Sequence, residues 1–172
     1  MTFAGHVTHL TGRFWRAAFL GQEDRLLSPA RATNGRWHHS SQPALYLSDA
    51  PEGCKVAVKA CLQPNDTPRG IFPLDVADAR IIDLRDPSTR AAVGTSLNEM
   101  HVFWADLNAH GIHPPTWGVS DQVRDKGFDG LLTPSRGRTD LTHLTLFRWN
   151  DANAPTVPPA GNPEIWNPQT IT

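Results

Sequence analysis

Arg36 and Tyr46 carry the strongest chemical signal in the chain. They lie within N-G-R-W-H-H-S-S-Q-P-A-L-Y, residues 34–46, where Gly35 frees the backbone for a turn and Tyr46 sits in the short apolar run Ala44-Leu45-Tyr46-Leu47. An arginine held at a strand edge by a turn can fork onto a phosphate. A tyrosine ring on a neighbouring strand can lie against a flat heteroaromatic group. Such a pair suits a dinucleotide better than a protein core. On the residues alone, Arg36 paired with a surface carboxylate and Tyr46 packed in the core remains an open alternative.

Further segments extend the pattern. An early arginine stands in Phe14-Trp15-Arg16, and Ser48-Asp49-Ala50-Pro51-Glu52 follows the tyrosine strand. Gly127-Phe128-Asp129-Gly130-Leu131-Leu132-Thr133-Pro134-Ser135 and the apolar strand Leu144-Thr145-Leu146-Phe147 come later. In order and spacing these segments, together with Gly35-Arg36-Trp37, resemble the RES-domain toxins of bacterial toxin–antitoxin modules, over about residues 10 to 149.

The resemblance implies an α+β fold with a split, curved β-sheet and flanking helices, like that of the ADP-ribosyltransferases. It implies NAD as substrate and an NAD pocket lined by Arg16, Arg36, Tyr46 and Ser135. Arg16 and Arg36 would bind the pyrophosphate and ribose side, Tyr46 the nicotinamide, and Ser135 the ribose. Breaking the nicotinamide–ribose bond develops positive charge on the sugar, as in the oxocarbenium state of glycosidases. ADP-ribose would pass to a protein, to water or to phosphate. The implied partner is a DNA-binding, Xre-type antitoxin that fills or covers the pocket.

Two positions depart from the family pattern. RES toxins usually carry a glutamate one helix beyond the tyrosine, and the matching residue here is Ala57. On a helix, position 57 shares a face with Gly53, Cys54, Ala60 and Cys61, while Glu52 lies about 140° away around the axis. An acid from elsewhere, catalysis by anchoring and strain, or a weakly catalytic or non-catalytic relative that binds a nucleotide or partner all fit this break. The second departure is His38-His39, where asparagine often follows G-R-W. These histidines are either polar ligands to the dinucleotide, His38 above all, or solvated turn residues.

The elements that must position these groups follow from pattern and punctuation. Residues 7–19, rich in β-branched and aromatic types, read as a strand. Pro43 opens the Tyr46 strand, and Ser48 or Asp49 can cap a helix with Pro51 in its first turn and Pro64 at its end. Gly70–Val76 and Ala79–Leu84 read as two strands joined by a turn at Ala77 and Asp78. Met100, Phe103, Trp104 and Leu107 recur at helical spacing. Another helix starts at Thr116 or Ser120 and stops at Gly127. Gly130–Thr133 and His143–Trp149 are the closing strands. Residues 1–150 form the NAD-binding domain, and 151–172, with five prolines, form an irregular tail that Ile165 and Trp166 can pin to the body.

Composition narrows the classes. At 172 residues the chain fits one domain with a real core. Lys+Arg number 16 against Asp+Glu 17, a net charge of −1 that advertises neither nucleic acid nor a membrane surface. No apolar run is long enough to span a bilayer and the N-terminus lacks a signal-peptide pattern, which points to a cytoplasmic protein. Cys54 and Cys61 fall on one helical face too far apart to bridge, so both read as reduced thiols. His6 and His9, like His110 and His113, are three apart, yet no Cys or acid cluster completes a metal set. Of six tryptophans, Trp104 reads as core, whereas Trp37 and Trp117 lie in or beside turns where ligand cover or partner contact is open beside core packing.

Overall fold

The structure is a computed structural model and describes residues 3–59 and 61–170. In chain order the elements are β1 (Val7–Phe19), β2 (Leu45–Ser48), α1 (Pro51–Lys59), β3 (Arg69–Asp83), α2 (Pro87–Val93), α3 (Leu97–His101), α4 (Trp104–Ala109), α5 (Pro115–Asp125), β4 (Gly130–Pro134), β5 (Thr142–Leu146) and β6 (Glu164–Trp166). Strands run in the order β1-β2-β5-β4-β3-β6, and β1 also pairs with β3, so the sheet curls back on itself. All neighbours are antiparallel except β3 and β4. The fold is a mixed α+β sheet with flanking helices.

β1 runs over residues 7–19, as its composition predicts. The two strands expected at 70–84 are instead one, β3, paired with β1 from Arg69 to Ile82. Between Leu10↔Ala79 and Gly12↔Val76 the register shifts, so Ala77 and Asp78 stand opposite Thr11 alone. This is a β-bulge. Asp78 takes φ 61° and donates its N–H to Thr11 Oγ1 at 3.1 Å. Residues that read as a turn are absorbed without reversing the chain.

Alternation along the strands sorts the side chains onto two faces. One face carries Phe14, Leu45, Leu47, Phe72, Leu74, Ile81, Leu132 and Leu144, closed over by Leu26 and Val157. The opposite face carries Ile82 and Leu131, covered by Val93 of α2, Met100 of α3 and Val119 and Val123 of α5, with Tyr46 packed against this cluster. Farther along, Cys54 of α1 packs with Ile71 and Trp166.

The helical run expected through Met100, Phe103, Trp104 and Leu107 is broken into α3 and α4. Met100 is buried, but Phe103 is 52% exposed. Arg36 donates to the carbonyls of Met100 and Val102 at 2.7 and 3.0 Å. Those oxygens would otherwise accept from residues four positions on, so a distant arginine ends the helix. α5 begins at Pro115, just ahead of the expected start, with proline in its first turn. Gly127, at φ 74°, follows its end as expected.

Ser48 and Asp49 do not cap α1. The Ser48 hydroxyl bonds His143, and Asp49 accepts from the Thr142 N–H at 3.0 Å. Because α1 ends at Lys59, Cys61 lies beyond it, so the two cysteines do not share a helical face. Both are free thiols; Cys54 is buried, which pushes its pKa up to about 12, and Cys61 is exposed. β5 stops at Leu146, short of Trp149. The tail is more regular than its prolines suggest. Thr156 and Pro159 bridge to Ala77 and Leu74, and β6 pairs with Arg69–Ile71. Trp166 is buried there while Ile165 is 61% exposed, so of these two only the tryptophan pins the tail. No helix among the described residues is long and apolar enough to cross a membrane.

Candidate functional site: an arginine cluster beside β2

The turn at Gly35 is built by close approach. Its N–H donates to His38 O at 2.8 Å. A Cβ on Gly35 would meet His38 Cε1 at 2.4 Å and Tyr46 Oη at 2.8 Å, so no larger residue fits. Trp117 Nε1 donates to Gly35 O at 2.8 Å. Both Trp37 and Trp117 are buried. They brace the turn from within and do not stand exposed beside it.

His38 is 1% exposed, not a solvated turn residue. Its Nε2 lies 2.9 Å from Ala32 O and its Nδ1 2.8 Å from Tyr46 Oη. A carbonyl can only accept, so Nε2 carries the proton and Nδ1 accepts from the phenol. The phenol oxygen in turn accepts from Trp37 N–H at 3.1 Å. Burial, with Arg124 and His39 nearby, holds the His38 pKa below its ordinary value. Burial raises that of Tyr46 to about 12. Both ring nitrogens of His38 are occupied, by Ala32 O and the Tyr46 hydroxyl. The Tyr46 phenol is held between His38 and the Trp37 N–H.

Arg36 is half-buried, and among the described residues no carboxylate forms an ion pair with it. Burial lowers its pKa, the neighbouring Arg136 lowers it further, and Tyr46 opposes them. Around it the charge is mainly positive, with Asp49 the acidic exception. His101 has a lowered pKa from burial and then from Arg36, Arg136 and Arg90. His143 is lowered by burial, with Asp49 pulling upward and Arg36 downward. A cluster of positive groups of this kind favours an anion.

The floor comes from paired strands. Ser48 of β2 faces His143 of β5 in register, and their Oγ and Nδ1 are 2.8 Å apart. Ser135 follows β4 and is buried, its N–H closing the 135–141 loop onto Leu141 O at 2.8 Å. From that loop Arg136 reaches over Phe103, 5.2 Å from the ring centroid. Gly53 of α1 rests on Ser48 and His143. Ala57, one turn on, is exposed.

The structure brings Arg36 and Tyr46 together, with His38 behind Tyr46, places Ser135 in the loop that carries Arg136, and sets Arg16 apart. Trp15 pairs with Ser48 while Arg16 pairs with Phe72, which places Arg16 on the opposite face from Ser48 and Tyr46. Its Nη1 bonds Leu26 O and, at 2.9 Å, Ser28 O. Burial lowers its pKa to about 10. Arg16 therefore tethers the 26–28 segment. Arg16→Ala is expected to lose roughly 2 kcal/mol of stability, from two carbonyls deprived of a charged donor. A urea-unfolding midpoint equal to that of the wild type would show that the tether carries no weight.

His101, His143 and Arg136 were not singled out from the sequence. They converge only through strand register and loop closure, and no local motif announces them. No cluster of three potential metal ligands occurs among the described residues. His6 bonds Thr89 Oγ1 at 3.1 Å, and His113 stacks edge-on against Trp117.

The model of the RES domain family matches residues 13–167, and the chain belongs to that family. Among curated proteins it is similar to the NAD(+) phosphorylases MbcT of Mycobacterium tuberculosis and Mycobacterium bovis. Each is 31% identical over 122 residues, 65% of this chain and 61% of theirs, so the match spans less than two thirds of those relatives. Among solved structures it is similar to a chain in the crystal structure of the M. tuberculosis MbcT–MbcA toxin–antitoxin complex. The TM-score is 0.67 at 21% identity, covering 94% of this chain and 87% of that one, a likeness of fold.

Proposed function

We propose that this protein is the toxin of a bacterial toxin–antitoxin pair and consumes NAD in the cytoplasm by breaking its nicotinamide–ribose bond. The observation that carries the reading is Arg36: half-buried, unpaired with any described carboxylate, and close enough to Tyr46 for each to shift the other's ionisation. In this reading the free edge of Arg36 takes the pyrophosphate, the Tyr46 ring holds the nicotinamide and Ser135 bonds the ribose. The fold is read as ADP-ribosyltransferase-like, which the long bulged β3 and the curled sheet support.

Phosphate is the favoured acceptor, in line with the activity named for the MbcT relatives. A phosphate oxygen attacks C1′ of the ribose as nicotinamide leaves with the C–N bonding electrons, giving ADP-ribose phosphate. Negative charge on the incoming phosphate faces the developing cation. It offsets part of what a glutamate at position 57 would supply. Water and a host protein are the other acceptors.

The test is nicotinamide release from NAD with and without inorganic phosphate, for the wild type and Ala57→Glu. Release that rises with phosphate is expected, as is faster phosphate-independent hydrolysis in the variant. No nicotinamide from the wild type under any condition would favour a second reading, that of a non-catalytic nucleotide- or partner-binding relative, which Ala57 supports. Under the toxin reading the partner is an antitoxin, Xre-type and DNA-binding, that presents an acidic group to Arg36. Co-expression is expected to restore growth and protect cellular NAD.

A further inference from the structure

His101 closes α3 beside the carbonyls that Arg36 holds, and its Nε2 is buried without a hydrogen-bond partner. Nearly all buried polar atoms are bonded, so an orphan one asks for an explanation. Its surroundings supply it. The carbonyls on either side of it in sequence, Met100 O and Val102 O, are both clasped by Arg36. Two residues on, the Phe103 ring lies under the Arg136 guanidinium. From α2, Arg90 adds positive charge, although its Nη1 is already spent on Leu84 O and Arg85 O, each at 2.8 Å. These three cations are the charged groups acting on His101, one each from the Gly35 turn, the 135–141 loop and α2.

A neutral acceptor would satisfy Nε2 and leave the guanidinium groups as they are. An anion with several oxygens satisfies all of them together, because donors arriving from different elements each find a separate lone pair. We propose that His101 is a further ligand-binding residue, donating from Nε2 to an oxygen of a phosphate group held between Arg36 and Arg136. This rests on the NAD-consuming reading, which offers two sources of that chemistry, the pyrophosphate of the dinucleotide and inorganic phosphate. Burial and the arginines keep the imidazole below its ordinary pKa. A bound dianion reverses the local field and draws a proton onto the ring.

The test is long-range proton–nitrogen NMR of the histidine rings in the full chain. The His101 signals are assigned by their loss in His101→Gln. Inorganic phosphate and ADP-ribose, which carries the pyrophosphate without the scissile bond, are titrated separately. One of them is expected to shift the His101 nitrogens and raise the ring's pKa. Phosphate alone doing so identifies the acceptor site, and ADP-ribose alone the pyrophosphate site. His101→Leu is expected to weaken the effective ligand about tenfold, whereas His101→Gln, whose amide can reach the Nε2 position, keeps most of the affinity. Should neither ligand move His101 at millimolar concentration, the inference is overturned, even if nicotinamide release stands. If His101 responds while NAD stays intact, the inference survives and the catalytic reading falls. The wild-type spectra decide the matter even if His101→Leu does not fold.

Discussion

Arg36→Ala is expected to lower kcat/KM for NAD by about 30- to 150-fold, equivalent to roughly 2–3 kcal/mol of lost binding to a charged group. The guanidinium has two tasks. Nη1 holds the carbonyls of Met100 and Val102, and its other N–H groups are left for a ligand in the proposed reading. Alanine removes the ligand contact and releases the α3–α4 junction together. Arg36→Lys separates the two tasks. A lysine keeps a point charge near the phosphates but cannot fork across both the carbonyls and a ligand. Its rate should fall nearly as far as that of alanine if geometry matters, and only a few-fold if charge suffices. Initial rates of nicotinamide release, with thermal unfolding of each variant, give the answer. Full activity in Arg36→Ala would mean that the Arg36–Tyr46 site is not where NAD is handled.

What the chain reveals to a reader depends on how local the physics is. β1, the Tyr46 strand and the stop at Gly127 are visible because composition, a proline and a glycine act within a few residues of the feature they make. The Arg36–Tyr46 pair is visible for the same reason, since one turn and one short strand carry it. Ala77 and Asp78 mislead because a β-bulge and a hairpin turn use similar residues, and only the unbroken pairing with β1 distinguishes them. The break between α3 and α4 is set by Arg36, more than sixty residues away in the chain, and helical spacing cannot register such competition. Arg16 shows a different limit. A strand's period of two says that Trp15 and Arg16 face opposite ways, but not which of them faces the site. The Ser48–His143 contact and the gathering of Arg136 beside His101 depend on register and loop closure, which no sequence window contains.

The Phe128-Asp129-Gly130 segment, quoted above for the family resemblance, is expected to be structural, and Gly130→Ala should cost roughly 3–4 kcal/mol. Gly130 sits between two strands, opposite Ile81 of β3 and Leu146 of β5. An added Cβ would stand 2.1 Å from the Thr145 carbonyl oxygen and 3.0 Å from Leu146 Cα. These are backbone atoms of a paired strand, so no side chain can rotate away. The neighbouring residue blocks a sideways shift. Asp129 is 1% exposed, accepts from Arg80 N–H at 2.7 Å and from the Arg148 guanidinium, and receives Phe147 N–H on its carbonyl at 2.7 Å. Moving Gly130 away from β5 would strain that network, in which a buried carboxylate left unpaired is costly. Only separation of β4 from β5 relieves the clash, and that opens the floor beneath Ser48 and His143. The melting temperature is expected to fall by about 10 °C for a chain of this size. Gly118→Ala is the control: Gly118 is exposed on α5, with nothing within 4 Å of an added Cβ. That change should stabilise by up to about 1 kcal/mol through helix propensity. If the two variants unfold at the same temperature, the β4–β5 contact is looser than its geometry implies, and the floor of the site is not held by the strand pairing that places His143 opposite Ser48.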